Sequence, residues 1–335
     1  IALTGNNGKT TTKDLIHSLL KPHPTTAATV GNLNNHIGVP LTLLSMTTET
    51  EIGIVEMGAN HAKEIAFLCE IAQPNMGYIT NFGKAHLEGF GSEEGVVKAK
   101  SELYDYLKTH SRLIILNYQD TQQIAQVGDY DNTYTFSESS KTAVNVKLTT
   151  TQPFLSVSLN NTEIQTHLTG IYNFQNIAAA LTIGSYFELT PLQLKKGIEA
   201  YVPANNRSQI IQQHSNEILL DAYNANPSSM EVALDNFIAV QNQNKLAILG
   251  DMFELGTTSA KEHSVLINKA TLINGCKFYF VGSHFFSQTI PHPNFKFFKT
   301  FKELQLHLER TTISNTSILI KGSRGMALER VLKMI

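Results

Sequence analysis

Residues 4–12 read Thr-Gly-Asn-Asn-Gly-Lys-Thr-Thr-Thr and stand between a predicted strand and a predicted helix. Glycines let the chain turn tightly, so that backbone N–H groups can surround phosphate oxygens at the start of a helix. Lys9 would then neutralise the phosphates, and the hydroxyl of Thr10 would bind Mg²⁺. The pattern is shorter than the usual phosphate loop, which has a glycine where this chain has Leu3. It predicts a nucleotide site formed by Gly5, Asn6, Asn7, Gly8, Lys9, Thr10 and Thr11.

Two further side chains that can bind a metal ion follow predicted strands. Glu56 follows the apolar run 52–55, and His86 lies in the loop after 76–80. Ligands bind beyond the carboxyl ends of the strands in an open parallel sheet, so both side chains can converge on the phosphate loop. A carboxylate and an imidazole near phosphates suit a divalent cation. A glutamate after a strand and a histidine in a loop are also common in sites without any function.

A lysine lies on the apolar face of a predicted helix at 93–108. That face is formed by Val96, Lys100, Leu103, Tyr104 and Leu107, at helical spacing, whereas Lys98 is expected to face solvent. Lys100 either reaches the surface along its own stem, or pairs with a structural carboxylate, or has a lowered pKa and a neutral, nucleophilic amine. A neutral amine can react with CO₂ to give a carbamate, an anion able to hold a second Mg²⁺.

The elements around these residues are short apolar strands that alternate with amphipathic helices, as in a parallel α/β sheet. Strands are predicted at 1–4, 52–57, 76–80 and 112–116, with helices at 9–20, 62–71, 93–108, 173–187 and 191–199. Thr-rich alternating runs at 130–168 predict antiparallel strands.

A linker at 202–206 precedes a second α/β rhythm, with strands at 217–221, 245–249, 277–281 and 317–321 and helices at 227–240, 259–272, 301–310 and 326–334. We therefore predict a central, P-loop ATPase-like domain with a mostly parallel sheet at 1–204. A Rossmann-like C-terminal α/β domain is predicted at 205–335.

Composition excludes several classes of function. The net charge is −2 without a basic tract, which argues against a nucleic-acid partner. No apolar run reaches the length of a membrane span. Cys69 and Cys276 lack metal-ligand spacing, and the apolar neighbours of Cys69 predict a buried thiol. This composition fits a reducing cytoplasm. Because the first motif begins at residue 4, we expect an N-terminal portion to be missing.

These residues resemble the Mur ligase family, which includes the folylpolyglutamate synthetases. The family's phosphate loop, T-G-x-N-G-K-T-T, matches residues 4–11, and its lysine motif matches 99–104. The resemblance implies an ATP-dependent amide ligase whose catalytic residues are Lys9, Glu56, His86 and Lys100. It also implies two Mg²⁺ ions held by Thr10, Glu56, His86 and a CO₂-derived carbamate on Lys100.

The family binds ATP between a central ATP-binding domain and a C-terminal ligase domain, whose closure completes the site. Asn173 and Asn176 match positions that contact adenine, although capping of the helix at 173–187 is an alternative role. Arg207 and Asp221 match residues that hold the phosphates and the ribose. The chain departs from the family at Tyr172, where a histidine is usual.

Several stretches resemble the branch that adds D-alanyl-D-alanine to a UDP-MurNAc-tripeptide through an acyl phosphate in peptidoglycan precursor synthesis. They are 31–42, 56–60, 81–88, 221–227, 249–256 and 321–326. The resemblance implies a monomer, with substrate contacts at Asn34, Asn35, Asn224, Lys321, Ser323 and Arg324. The last three residues could equally be a solvent-facing cluster at a helix start. The uridine-nucleotide domain of this branch has no counterpart in the sequence.

Three other functions are consistent with parts of the sequence. The first is another amide ligase of the same superfamily, such as one adding glutamate to folate. The second is a phosphate-loop NTPase switch or kinase, which leaves Lys100 unexplained. The third is a non-catalytic nucleotide-binding protein, against which the intact phosphate loop and the metal-binding side chains argue. His263 is expected to be a surface or packing histidine.

Overall fold

The computed structural model describes residues 1–22, 25–83, 87–139 and 141–335, without the side chain of Leu87. The chain forms two compact units, Ile1–Val202 and Pro203–Ile335. Each unit contains helices and a sheet in which most neighbouring strands are parallel, which confirms the predicted α/β class. None of the helices in the described ranges combines the length and the apolar character that crossing a bilayer requires.

The first unit contains nine strands and eight helices among its described residues. The strands are β1 (Ala2–Thr4), β2 (Thr26–Ala28), β3 (Ile52–Glu56), β4 (Met76–Ile79), β5 (Leu113–Asn117), β6 (Thr133–Ser137), β7 (Val144–Thr150), β8 (Ser156–Leu159) and β9 (Thr162–Gln165). The helices are α1 (Lys9–Leu20), α2 (Gly38–Leu44), α3 (Glu64–Ala72), α4 (Leu87–Phe90), α5 (Glu93–Thr109), α6 (Thr121–Val127), α7 (Asn173–Tyr186) and α8 (Pro191–Glu199).

The nine strands form one sheet in the order β2-β3-β1-β4-β5-β6-β7-β8-β9. β1 lies between β3 and β4 and is parallel to both, so the three carboxyl ends share one edge. Leu3 belongs to the core that includes Leu15 of α1, and Ala2 belongs to the core that includes Leu103 of α5. Successive side chains of β1 therefore enter opposite cores, which explains its continuous apolar sequence.

The second unit contains six strands and four α-helices among its described residues. The strands are β10 (Gln209–Gln213), β11 (Asn216–Asp221), β12 (Lys245–Gly250), β13 (Cys276–Val281), β14 (Phe295–Phe298) and β15 (Ser317–Lys321). The α-helices are α9 (Pro227–Ala239), α10 (Ser259–Thr271), α11 (Ser283–Phe286) and α12 (Phe301–Leu308), and 3₁₀ turns occur at Gly256–Thr258, Arg324–Met326 and Leu328–Met334.

The sheet of the second unit has the order β10-β11-β15-β12-β13-β14. The last strand in sequence, β15, lies between β11 and β12 and is parallel to both. The helix that follows β11 begins with a capping box, in which the side chain of Asn226 accepts the N–H of Ser229, and with Pro227 at its first position. The start of α9 is thus fixed locally, which leaves the short loop 222–226 beyond the end of β11.

Two local predictions were wrong. The region 130–168 is not antiparallel throughout, because β6 is parallel to β5 and to β7, and only β7, β8 and β9 pair in antiparallel fashion. The predicted helix at 326–334 is a 3₁₀ helix over Leu328–Met334. Its buried residues Leu328 and Val331 are three positions apart, a spacing that three residues per turn place on one face.

Candidate functional site

The phosphate-loop residues join the end of β1 to the start of α1. Gly5 and Gly8 have φ angles of 136° and 80°, where a side chain would be strained. A Cβ atom at Gly8 would also lie 2.4 Å from Oδ1 of Asn176, so this position requires glycine. The amides of the first turn of α1 therefore stand at a helix N-terminus directly after the loop, an arrangement that suits a phosphate.

Asn81, which follows β4, holds the first part of the loop. Its backbone oxygen accepts the N–H of Asn6 at 3.1 Å, and its Oδ1 accepts the N–H of Asn7 at 3.0 Å. Lys9 donates from Nζ to the backbone oxygens of Gly5 at 2.7 Å and of Asn6 at 3.0 Å. The stretch 81–88 was noted for its resemblance, but Asn81 was not predicted as a site residue, although its place at a strand end was an available signal. The amides of Asn6 and Asn7 bind this residue and do not point at a ligand.

Glu56 is a buried carboxylate at the end of β3, in register with Leu3 of β1. Its Oε1 accepts a hydrogen bond from Nδ2 of Asn34 at 2.8 Å, and its N–H donates to Oγ1 of Thr29 at 3.0 Å. Within the described part of the chain, Oε2 is buried and has no hydrogen-bond partner. A buried carboxylate oxygen without a donor is costly, and a bound cation would remove that cost.

Lys100 lies inside α5, and its side chain is 1% exposed. Nζ donates to the backbone oxygen of Ala59 at 3.2 Å and lies 5.2 Å from the ring centre of Phe90. Burial, and secondly the charge of Lys9, lower the pKa of Lys100 to about 7, against the opposing charges of Glu64 and Glu102. The amine therefore does not reach the surface, and it is close to half neutral at pH 7.

The predicted metal-binding residues are only partly covered by the structure. His86 lies outside the described residues. Among the residues that the structure does cover, no group of three or more His, Cys, Asp or Glu side chains could hold a metal ion. Thr10 is buried in the first turn of α1, and Glu56 ends the neighbouring strand. The unpartnered oxygen of Glu56 and the lowered pKa of the buried Lys100 amine are the features that fit the expected Mg²⁺ chemistry.

Asn34 and Asn35 precede α2 and have different contacts. Asn34 donates to Glu56, as described above, and its backbone oxygen accepts the N–H of Gly58 at 2.7 Å. Oδ1 of Asn35 accepts the N–H groups of Ile37 at 3.1 Å and Gly38 at 2.9 Å. Asn34 is therefore tied to the end of β3, whereas the side-chain oxygen of Asn35 supports the start of α2.

Asn173 and Asn176 are buried at the start of α7. Oδ1 of Asn176 accepts a hydrogen bond from Oγ1 of Thr12 at 3.1 Å, and its Nδ2 donates to Oδ1 of Asn173 at 2.8 Å. The capping role considered for them is wrong, because the N-cap residue is Tyr172, which has no side-chain capping bond. Both side chains instead bind other buried side chains.

In the second unit, Asp221 and Lys321 form an ion pair at the ends of the adjacent strands β11 and β15. Nζ of Lys321 lies 2.5 Å from Oδ2 of Asp221 and 3.2 Å from the backbone oxygen of Asn224. Oδ1 of Asp221 accepts the N–H of Ser208 at 3.1 Å. The side chain of Lys321 is 3% exposed, so the lysine is not part of a solvent-facing cluster.

Tyr223 contacts one of the predicted arginines closely. The guanidinium carbon of Arg207 lies 3.4 Å from the ring centre of Tyr223, and that of Arg324 lies 6.0 Å from it. Nε of Arg207 is buried and has no partner among the described residues. Arg324 is 59% exposed and pairs with Glu329 at 3.0 Å. The guanidinium group of Arg324 is therefore accessible to an anionic ligand.

Ser323 is buried, and its hydroxyl joins the loops that follow three strands. Its Oγ accepts the N–H of Phe253, after β12, at 2.9 Å and donates to the backbone oxygen of Ala225, after β11, at 3.4 Å. Its own N–H donates to the backbone oxygen of Asp251 at 3.1 Å. Both capacities of the hydroxyl are thus used within the protein.

His263 is fully buried, as its packing interpretation predicted. Nε2 accepts the N–H of Met252 at 3.0 Å, so Nδ1 carries the proton and donates to the backbone oxygen of Ser259 at 2.7 Å. Burial lowers the pKa of His263. The histidine is a neutral part of the core of the second unit.

Comparison with known proteins gives matches along almost the whole chain. Residues 3–184 match the family model described as the Mur ligase middle domain. Residues 206–324 match the model described as the Mur ligase, glutamate ligase domain. The UDP-N-acetylmuramoyl-tripeptide–D-alanyl-D-alanine ligases of Bacillus subtilis (strain 168) and Escherichia coli (strain K12) are each 33% identical to this chain. The alignments cover 99% and 100% of this chain and 75% and 76% of those proteins.

Solved structures give the same result. A crystal structure of MurF from Acinetobacter baumannii superimposes with a TM-score of 0.87 at 30% identity, covering 99% of this chain and 75% of that one. MurF ligase from Thermotoga maritima in complex with ADP superimposes with a TM-score of 0.85 at 25% identity, covering 99% and 78% of the two chains.

Proposed function

Because the chain belongs to the Mur ligase family of ATP-dependent amide ligases, we propose that it joins D-alanyl-D-alanine to a UDP-MurNAc-tripeptide. The observation that carries the proposal is the 33% identity to the UDP-N-acetylmuramoyl-tripeptide–D-alanyl-D-alanine ligases of Bacillus subtilis and Escherichia coli, over nearly all of this chain. The MurF structures that superimpose on the chain support the same choice within the family.

We propose that ATP binds at the loop between β1 and α1. The positive φ angles of Gly5 and Gly8 and the helix N-terminus that follows them support a phosphate ligand. The ammonium group of Lys9, held at the loop by two backbone oxygens, would supply positive charge next to the phosphates. The ADP bound to the Thermotoga maritima relative supports an adenine nucleotide as the ligand. Arg207 and Asp221 are proposed as further contacts of the nucleotide.

The residues proposed to hold two Mg²⁺ ions are Thr10, Glu56, His86 and Lys100. The free Oε2 of Glu56 supports a cation at the end of β3. The lowered pKa of Lys100 supports a reaction of its neutral amine with CO₂, which would release a proton and give a carbamate with two oxygen ligands. When bound, the metal ions would offset the negative charge of the phosphates and of the substrate carboxylate.

The proposed reaction has two steps. The terminal carboxylate of the tripeptide attacks the γ-phosphorus of ATP, which gives an acyl phosphate and ADP. The amine of D-alanyl-D-alanine then attacks the acyl carbon, forms the amide bond and expels phosphate. Both steps bring anions together, so Lys9 contributes by fixing a positive charge beside them before they react. Arg324, whose side chain is accessible, is proposed to pair with the dipeptide carboxylate.

In this proposal Lys321 and Ser323 support the site and do not contact the substrate directly. Their side chains are buried and bind Asp221 and the neighbouring loops. We propose that they hold the segment that carries Arg324, and that Asn224, which is exposed, remains available to a substrate.

The test is phosphate release by the full-length protein with ATP, Mg²⁺ and UDP-MurNAc-tripeptide, measured with and without D-alanyl-D-alanine. We expect release to depend on the dipeptide and the product to gain the mass of one dipeptide less one water. Lys100→Ala should abolish activity, whereas Lys98→Ala, a change of an exposed lysine on the same helix, should not. Release that is indifferent to the dipeptide, or a product formed only with glutamate and a folate, would overturn the proposal.

A further inference from the structure

A chain of buried amide side chains connects the start of α7 to the phosphate loop. Nδ2 of Asn173 donates to the backbone oxygen of Thr169 at 2.8 Å, and Oδ1 of Asn173 accepts from Nδ2 of Asn176 at 2.8 Å. Oδ1 of Asn176 in turn accepts from Oγ1 of Thr12 at 3.1 Å. Asn173 is 2%, Asn176 4% and Thr12 0% exposed. The connection is therefore shielded from water at every step.

The end of this chain lies against the first turn of α1. Thr12 is the residue whose N–H bonds to the backbone oxygen of Gly8 at 2.8 Å and closes that turn. A Cβ at Gly8 would lie 2.4 Å from Oδ1 and 2.9 Å from Nδ2 of Asn176, so the carboxamide packs directly on the glycine. Asn176 thus contacts both ends of the turn, Gly8 by packing and Thr12 by a hydrogen bond.

The orientation of the carboxamide follows from its partners. The hydroxyl of Thr12 is the donor to Oδ1, and Nδ2 is the donor to Asn173. Exchange of the oxygen and the nitrogen would place Nδ2 of Asn176 opposite Thr12 and leave Oδ1 of Asn173 facing an oxygen. The network therefore fixes one orientation, and a buried, fixed amide resists movement of what it contacts.

We infer that Asn176 is a positioning residue that fixes the phosphate loop through Gly8 and Thr12, and that its effect falls on the phosphates and not on the base of the nucleotide. The inference deepens the proposed function and rests on it, because it takes a nucleotide as the ligand of the loop. Asn173 is the second link, which holds Asn176 in place through the backbone of Thr169.

The experiment compares ATP with inorganic tripolyphosphate, which has no base, as ligands of the full-length protein in the presence of Mg²⁺. Binding is measured by titration calorimetry for the wild type, Thr12→Val, Asn176→Ala and the double variant. Thr12→Val removes one hydroxyl and keeps the shape of the side chain. The matched control is Thr182→Val, which removes a buried hydroxyl on α7 that bonds only to Ala178 of the same helix.

We expect Thr12→Val to weaken both ligands by roughly 5-fold, the effect of one lost hydrogen bond. Asn176→Ala should weaken both ligands by at least as much, and the double variant should bind no more weakly than Asn176→Ala alone. Thr182→Val should lower the thermal stability without changing the affinity for either ligand. This last result separates positioning of the loop from a general loss of stability.

Two results would overturn the inference. One is an Asn176→Ala protein that loses affinity for ATP but binds tripolyphosphate like the wild type, since that assigns Asn176 to the base. The other is a double variant in which the separate losses multiply, since independent effects exclude an action of Asn176 through Thr12. Failure of the proposed function would look different, because the wild type would bind ATP but release no phosphate in response to the dipeptide.

Discussion

Replacement of Lys100 by methionine should stabilise the protein and change how its stability depends on pH. Methionine has nearly the same length and no charge, so Lys100→Met keeps the apolar stripe of α5 and removes the titrating group. The side chain is 1% exposed, and Nζ has the backbone oxygen of Ala59 as its hydrogen-bond acceptor. A charged amine in this place is opposed by burial and by the charge of Lys9.

The sign and the size of the effect follow from the pKa of Lys100, which falls from 10.5 to about 7 on folding. Between these values the unfolded chain carries a proton that the folded protein lacks, so the free energy of unfolding rises with pH by about 1.4 kcal/mol per pH unit. Lys100→Met lacks this contribution. Its advantage over the wild type should therefore shrink by about 3 kcal/mol between about pH 7.5 and pH 9.5.

The assay is urea denaturation monitored by circular dichroism, since the sequence contains no tryptophan for fluorescence. The buffer is free of bicarbonate so that Lys100 stays an amine. Differences between wild type and variant remove the contributions of other titrating groups, including the buried tyrosines. Lys98→Met, at an exposed position of the same helix, should follow the wild type at each pH. A gap between wild type and Lys100→Met that stays constant with pH would refute a neutral, buried amine.

Three further outcomes are expected. Ser323→Ala should lower the free energy of unfolding by about 1 kcal/mol, because it removes the hydrogen bonds that the hydroxyl makes to Phe253 and Ala225, and it should raise the KM for D-alanyl-D-alanine. The exposed change Ser314→Ala should do neither, and equal behaviour of the two variants would contradict the role of the Ser323 hydroxyl. Burial raises the pKa of Cys69 and of Cys276 to about 12. A thiol reagent at about pH 8 should therefore modify both cysteines only after the protein unfolds. Rapid reaction of the native protein would disprove their burial. Burial lowers the pKa of His263, so the histidine of the unfolded chain takes up a proton at a higher pH than that of the folded protein. The free energy of unfolding should therefore fall as the pH drops through about 6.5. His263→Gln should reduce this dependence of the unfolding free energy on pH in urea titrations, and an unchanged dependence would count against a neutral histidine.

The parts of the fold that sequence predicted are those with a strong local pattern. The phosphate loop, the strands β1, β3 and β4 and the apolar stripe of α5 all have residue spacings that one structure satisfies. The edge strands β2, β10 and β14 were missed. β10 reads Gln-Ile-Ile-Gln-Gln, which does not alternate apolar and polar residues. β2 has only three residues, and β14 reads Phe-Lys-Phe-Phe shortly after two prolines, so neither offers a full period of alternation.

The direction of β6 relative to its neighbours was predicted wrongly for a different reason. An alternation of apolar and polar residues has a period of two in parallel and antiparallel strands alike. The sequence at β6 therefore indicates a strand but not that its partners β5 and β7 run in the same direction. The antiparallel prediction holds for β7, β8 and β9, and its signal was the alternating pattern interrupted by the turn Asn160-Asn161 between β8 and β9.

The roles of Lys321 and Ser323 could not be read from their neighbours in sequence, because their partners lie 70 to 100 residues away in the chain. Lys321 bonds Asp221, and Ser323 bonds Ala225 and Phe253. These contacts exist because β15 enters the sheet between β11 and β12, which brings three strand ends side by side.

The same topological rule explains why Glu56, at a strand end beside β1, was predicted more readily. In the first unit β1 carries the phosphate loop, and its neighbours β3 and β4 end at Glu56 and just before Asn81. Parallel neighbours bring such ends to one edge, so a polar residue directly after an apolar strand is a candidate whatever its distance in sequence. Glu56 was found in this way, and Asn81 meets the same criterion. By contrast, Asn176 lies inside a helix that packs under the loop, and only the structure reveals that its amide meets Gly8 and Thr12. Strand ends therefore identify candidate residues of both kinds, since Glu56 has an unpartnered oxygen whereas Asn81 holds the loop. A supporting residue inside a helix, such as Asn176, depends on helix packing, which a single sequence does not specify.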